Sequence, residues 1–268
     1  MTTARLFRDK DILGFLQAQI EPRDQVPWLF VHVPEAVGYT IRESFADILQ
    51  PDYLVTAAQG DNGLDYDTCM FRGLQKFEQQ DFRRCRLASG HFKVFQIEEI
   101  PDLAKARLFT VMRDPVDRLL CDFSAQNSTK SRQLTPQHFF EFAKAPANQN
   151  VFLQFMCPKR MWNPKECIDF IQNRFDFIGI AEDLPMTMKM FYAIHGARFL
   201  GGAKELKIAT GRLKRSDLSP DLIRSVSILN AVDYDIFRWF HDQFISLKNE
   251  FFAMADCGEM FKALTYRP

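Results

Sequence analysis

"WLFVHVPEAVGYTIRESF", residues 28–45, decides how this chain folds, because it joins a strand, a tight turn and a helix with almost nothing between them. The run from Trp28 to Val33 is apolar and rich in β-branched and aromatic residues, which suits a strand buried on both faces. Pro34 then ends it, Gly38 supplies backbone angles that other residues avoid, and Thr40 stands where a helix over 40–49 would begin. In an open parallel sheet such a turn presents backbone amides and a helix N-terminus to an anion. The same residues also read as an ordinary helix with a threonine cap. Glu35 sits in this turn where a cation would suit a phosphate.

Outward from this stretch, strand-like runs recur at 53–58, 85–90, 106–112 and 175–180. Helical patterns occupy 115–126, 136–144, 148–156, 164–174, 182–195, 219–229 and 233–252. Short apolar strands alternating with amphipathic helices predict an α/β fold: a central, mainly parallel sheet of about five strands flanked by helices, with a helical C-terminal third. The 268 residues and 47% hydrophobic content fit one domain over 1–268, with 1–26 as an N-terminal helical extension. Glycine and charge replace the periodic apolar residues at 57–67 and 201–220, which read as flexible connections.

Lys plus Arg and Asp plus Glu number 34 each, so the chain has no general attraction for nucleic acid or an anionic membrane, and any anion site must be local. The six cysteines form no C-x-x-C pair and no zinc spacing, which predicts free thiols in a reducing compartment. Charges interrupt the N-terminal apolar residues, and no run approaches the ~20 apolar residues of a membrane span. The expectation is a cytoplasmic protein with no membrane span.

A second turn stands at "LFTVMRDPVDRLLCDF", residues 108–123. Asp114 followed by Pro115 is a cap with proline at the first helical position, so Arg113 is the last residue of the buried strand. A guanidinium projecting there, beside a helix N-terminus, suits a phosphate monoester by bidentate contact, or else pairs with a nearby carboxylate. Arg118, one turn on, reads as a brace for Asp114 or Asp117.

Taken together, "FVHVP…GYT", "GHF" and "LFTVMRDPVDRLL" resemble the carbohydrate-type sulfotransferases that use 3'-phosphoadenosine 5'-phosphosulfate. The similarity continues in "LTPQHFFEFAKAPANQNVFLQFMCP", "FDFIGIAEDLPMTMKMF" and "ILNAVDYDIFRWFHDQF", and so runs from about residue 28 to 248. It implies the P-loop-like sulfotransferase architecture and 3'-phosphoadenosine 5'-phosphosulfate as cofactor. It implies that Arg113 binds the 3'-phosphate and that the loop of Pro34, Glu35, Ala36, Val37, Gly38, Tyr39 and Thr40 cradles the 5' end. Cys121 falls at the family's serine in the arginine loop, and Arg212, Lys214 and Arg215 fall where a basic loop covers the cofactor. His91 matches the histidine that takes the proton from the acceptor hydroxyl, a role that suits an imidazole titrating near neutrality. His32, on the strand leading into the first loop, is the competing histidine. The acceptor implied is a polar hydroxyl on a carbohydrate, glycolipid or small natural product, and no metal is required.

Two positions depart from the family's pattern: Glu35 replaces a lysine of the first loop, and Cys121 replaces the serine. Sulfuryl transfer needs positive charge on the bridging oxygen as the bond breaks. Glu35 can turn away and pair with Arg42, other cations can replace the lysine, or the site no longer turns over. The last case is a nucleotide- or partner-binding relative without catalysis. A magnesium-dependent kinase is disfavoured, because G-x-x-x-x-G-K-[ST] is absent. In the variable loops, Tyr66 and Trp162 are candidates for stacking on a sugar ring or for core packing.

Overall fold

The computed structural model describes residues 28–37, 41, 54–56, 87–91, 93–101, 103–128, 134–194 and 213–256. Within them five strands form one sheet: β1 (Trp28–Val31), β2 (Leu54–Thr56), β3 (Leu87–Gly90), β4 (Arg107–Met112) and β5 (Phe175–Ile180). Their order is β2-β3-β1-β4-β5, and every neighbouring pair runs parallel. All four residues of β1 and all six of β4 are buried, as strands covered on both faces require. The five strands fall within the runs expected from the sequence.

Eight helices are seen in the described residues: α1 (Val94–Glu98), α2 (Pro115–Gln126), α3 (Pro136–Lys144), α4 (Val151–Met156), α5 (Pro164–Arg174), α6 (Leu184–Ile194), α7 (Pro220–Leu229) and α8 (Ala231–Asp256). Four of them begin by one device. Asp114, Thr135, Asn163 and Ser219 each accept backbone N–H bonds from the first turn, and each is followed by a proline whose missing N–H costs nothing there. The expected helix over 40–49 lies outside the described residues except for Ile41, as do the extension 1–26 and the stretch 57–67.

Helix α4 starts at Val151 rather than at 148, and the cause is remote in sequence. Asn150 takes a left-handed conformation (φ 48), and its N–H donates to Asn230 Oδ1 at 2.9 Å. Asp233, in the first turn of α8, then accepts the N–H groups of Phe152 (2.8 Å) and Leu153 (3.0 Å). This carboxyl is fully enclosed; burial pushes it up to about 6, against the pull of the two amides and of Arg118.

The main core lies around the sheet, where Phe30 and Phe109 stack at 4.7 Å and Phe109 meets Phe191 of α6 at 4.7 Å. A polar residue in β4 is satisfied across the sheet, since Thr110 Oγ1 donates to Val31 O at 2.8 Å. Between β4 and β5 the register slips by one residue, so Leu108 faces Phe175 and Phe109 faces Phe177. Asp176, the extra residue, accepts the Leu108 N–H at 3.2 Å and pairs with Arg107 at 3.5 Å.

The strand order places a reversal beside β1. From β1 the chain leaves for the β2 edge, returns through β3, then crosses to β4 and β5 on the other side. A crevice beyond the carboxyl ends of β1, β3 and β4 follows from that topology.

Candidate functional site

Three strand ends meet at this crevice and bring together residues far apart in sequence. After β1 come Pro34, Glu35, Ala36 and Val37; after β3 comes His91; after β4 come Arg113 and the start of α2. Glu35 (φ 61) and Val37 (φ 51) both have positive φ, which bends the loop sharply at a cost that side chains with a Cβ seldom bear. Arg113 reaches across and donates from Nη1 to the Glu35 carbonyl at 3.3 Å. Gly38, Tyr39, Thr40, Arg42 and Arg212 lie outside the described residues.

The Glu35 side chain does not project toward open solvent. Its Oε2 accepts a hydrogen bond from Cys121 Sγ at 2.9 Å. The two positions that depart from the motif are therefore one contact. Burial pushes the Cys121 thiol above its usual range, and the Glu35 hydrogen bond and charge push it the same way, while Arg113 pulls it back.

Arg118 lies three residues before Cys121, so both belong to the face of α2 turned toward the first loop. It is 1% exposed, donates from Nη1 to the Pro34 carbonyl at 3.4 Å, and pairs with Asp122 at 3.5 Å. Its Nη2 is buried with no hydrogen-bond partner among the described residues. Burial lowers its affinity for the proton, and Asp122 offsets this. Arg118 thus holds the first loop and does not brace Asp114 or Asp117, the role its sequence position suggested.

That brace is Arg215. Its Nη1 lies 2.7 Å from Asp114 Oδ1 and 3.4 Å from Asp117 Oδ1. Burial works against the Arg215 charge, but the two carboxylates outweigh it and keep the guanidinium firmly protonated. Asp114 also accepts the Val116 and Asp117 amides at 2.9 and 3.1 Å and the Tyr234 hydroxyl at 3.3 Å, and its own N–H donates to Glu182 Oε1 at 2.7 Å. Lys214 is exposed beside Arg215.

The two candidate histidines are neighbours. His32 continues β1 by donating its backbone N–H to the Gly90 carbonyl at 2.9 Å, which brings its ring within 4.3 Å of the His91 ring. His32 is buried and stacks on Phe30, whereas His91 is part-exposed.

Among the described residues no group of His, Cys, Asp and Glu is arranged to hold a metal ion, and no helix is long and apolar enough to cross a membrane. Cys121, Cys157 and Cys167 take part in no disulfide among the described residues. The sequence reading missed Asp233 and Tyr234, and the only signal for them was the placement of polar residues at the start of α8.

No family model and no curated protein matches this sequence. Among solved structures, the chain is similar to a sulfotransferase from Alicyclobacillus acidocaldarius, with 12% identity and a TM-score of 0.45 over 81% of this chain and 96% of that one. It is also similar to mouse sulfotransferase SULT7A1 complexed with PAP, with 13% identity and a TM-score of 0.47 over 83% of this chain and 88% of that one. Likenesses of this degree do not bear on what the chain catalyses.

Proposed function

We propose that this chain is a sulfotransferase that moves a sulfuryl group from 3'-phosphoadenosine 5'-phosphosulfate to a hydroxyl of a carbohydrate or other polar acceptor. The observation that carries the reading is the meeting of the 34–37 loop, His91 and Arg113 at the ends of three adjacent parallel strands. The residues fit an anionic nucleotide in two respects. A guanidinium, Arg113, borders the first loop, and a second, Arg118, is enclosed behind that loop with Nη2 unmet by any described residue. They depart in one respect, because the loop carries a carboxylate at Glu35 and no cation.

When bound, the cofactor supplies the sulfuryl group and leaves as adenosine 3',5'-bisphosphate. In this reading Arg113 holds the 3'-phosphate by charge-assisted hydrogen bonds, and the backbone of the 34–40 loop receives the 5' end. His91 takes the proton from the acceptor hydroxyl as its oxygen attacks, and His32 fixes the plane of that imidazole by ring contact. Arg118 keeps Pro34 in place and so positions the loop. Arg215 acts on the site through Asp114 and the start of α2.

Thermal unfolding with adenosine 3',5'-bisphosphate tests the binding step. The expected result is a stabilisation that Arg113→Ala abolishes and His91→Ala retains, while His91→Ala loses transfer of label from the phosphosulfate. No stabilisation of the wild-type chain would sink the proposal. A second reading, nucleotide or partner binding without turnover, is favoured by Glu35 alone. Sulfuryl transfer that appears only in Glu35→Lys would select it.

A further inference from the structure

Helix α4 stands beside His91 but does not hold itself there. Its six residues make too few internal hydrogen bonds to offset the cost of nucleating a helix. Val151, Phe152, Leu153, Phe155 and Met156 are buried, so its leading N–H groups face protein and need acceptors from it. Asn150, the residue before the helix, makes no cap bond with its side chain. Asp233 supplies the acceptors instead, one oxygen to the Phe152 N–H at 2.8 Å and the other to the Leu153 N–H at 3.0 Å. The Asn150 side chain is engaged at the same junction, where its Oδ1 accepts the Asp233 N–H at 3.3 Å and its Nδ2 donates to the Leu229 carbonyl at 3.4 Å. With the bond from the Asn150 N–H to Asn230 Oδ1, five hydrogen bonds among the described residues tie the start of α4 to the junction of α7 and α8.

One turn beyond that cap is Phe155. Its buried ring meets the His91 imidazole edge-on, with centroids 6.2 Å apart and planes at 72°. Phe152 and Phe155 are three residues apart on one helix face, so a tilt of the capped first turn carries the Phe155 ring with it. The other ring beside His91 is held differently. His32, at 4.3 Å, belongs to the end of β1, where its backbone N–H bonds the Gly90 carbonyl and the sheet fixes it. One ring flanking His91 is therefore set by the sheet, and the other by a carboxylate on α8.

We infer that Asp233 is a positioning residue for His91: by capping α4 it holds the Phe155 ring against the imidazole and so sets how that imidazole is presented at the crevice. The consequence for catalysis rests on the sulfuryl-transfer reading above; the placement of the ring is measurable without it.

The test is a proton–carbon correlation NMR spectrum of the full chain labelled at histidine, recorded at neutral pH, with the His91 signal assigned by its loss in His91→Gln. Asp233→Asn keeps one accepting oxygen and turns an amide group toward the second helix N–H, so one cap bond is lost. Asn150→Gly keeps the left-handed backbone and the Asp233 carboxylate but removes the two side-chain bonds of Asn150. Phe155→Leu removes the ring and leaves the cap. Each of the three is expected to displace the His91 signal and to leave that of His138, on α3, in place. Asp233→Asn added to Phe155→Leu is expected to cause no further displacement, because the effect passes through the ring. A His91 signal unmoved in either folded cap variant, or moved by Asp233→Asn as much without the Phe155 ring as with it, overturns the inference. In a chain that transfers label, Asp233→Asn lowers kcat on the order of tenfold, as misorientation of a reacting group does, with Kd for adenosine 3',5'-bisphosphate unchanged. An unchanged kcat beside a displaced signal overturns it as well. A displaced signal in a chain that fails to bind the bisphosphate supports the positioning role and rejects the nucleotide reading alone.

Discussion

Replacing Glu35 by glutamine removes one negative charge from the first loop and changes little else. Arg113 holds the Glu35 carbonyl, which the substitution keeps, and Gln can occupy the same positive-φ backbone as Glu. The lost interaction is that of the carboxylate, which accepts from Cys121 Sγ at 2.9 Å. A phosphate seated on Arg113 shares the first loop with that carboxylate, because Arg113 Nη1 lies 3.3 Å from the Glu35 carbonyl, and a separation on the order of 6 Å sets the scale. Two unit charges at that distance repel by about 3 kcal/mol at an effective dielectric near 20. Glu35 is part-exposed, so solvent and salt screening reduce this by at least half. The remainder, about 1–1.5 kcal/mol, is roughly a tenfold tighter Kd for adenosine 3',5'-bisphosphate in E35Q. Titration calorimetry at low and at high salt measures it, and the gain should shrink as salt rises. The thiol gives an independent signal, because removing the Glu35 charge lets Cys121 be alkylated at lower pH. If E35Q binds the bisphosphate as the wild type does, or more weakly, the carboxylate does not oppose phosphate and the electrostatic reasoning fails.

Three further outcomes follow from the packing. Asp233 has a folded-state value of about 6 against 3.8 unperturbed, so the stability it contributes is complete below 3.8 and is lost as pH rises through 6. That amounts to a loss on the order of 3 kcal/mol, and Asp233→Asn should flatten the slope in urea unfolding between about pH 4 and about pH 7; a wild-type slope in the variant would refute this. In Gly179→Ala the new Cβ would lie 2.2 Å from Thr187 Cγ2, an overpacking worth about 1–3 kcal/mol, and pairing it with Thr187→Ser, which lacks that methyl, should restore most of the melting temperature. Arg118→Met removes the ion pair of Asp122, leaving that carboxylate the Gln126 amide at 2.9 Å, and frees the Pro34 carbonyl, with an expected loss on the order of 1–3 kcal/mol in the same unfolding assay.

The sheet was legible because its strands carry their own signals. "WLFV", "RLFTVM" and "FDFIGI" are apolar runs bounded by charge or proline, and each is a strand where it was expected. Helix starts were legible for a similar reason, since Asp114 with Pro115 fixes the first turn of α2 through contacts within four residues. Helix α1 was missed because five residues carry too little periodicity to register, and the start of α4 was misjudged because Asp233, 80 residues from Leu153, sets it. Within the site, the sequence placed Arg113, His91 and the first loop at strand ends, which is a local property. It gave no access to the Cys121 contact of Glu35, nor to the exchange by which Arg215 braces Asp114 while Arg118 holds Pro34, because such contacts depend on which elements the sheet order brings together.

Asp114 has a consequence for how the molecule behaves as a whole. One carboxylate gathers the first amides of α2, the Arg215 guanidinium and the Tyr234 phenol of α8, and it sits next to the residue proposed to grip the ligand. Filling the crevice should therefore quiet the C-terminal helices as well as the loops that line it. Deuterium uptake through α7 and the opening turns of α8 would slow on saturation, and an Asp114→Asn chain would lose that remote protection before it lost the ligand.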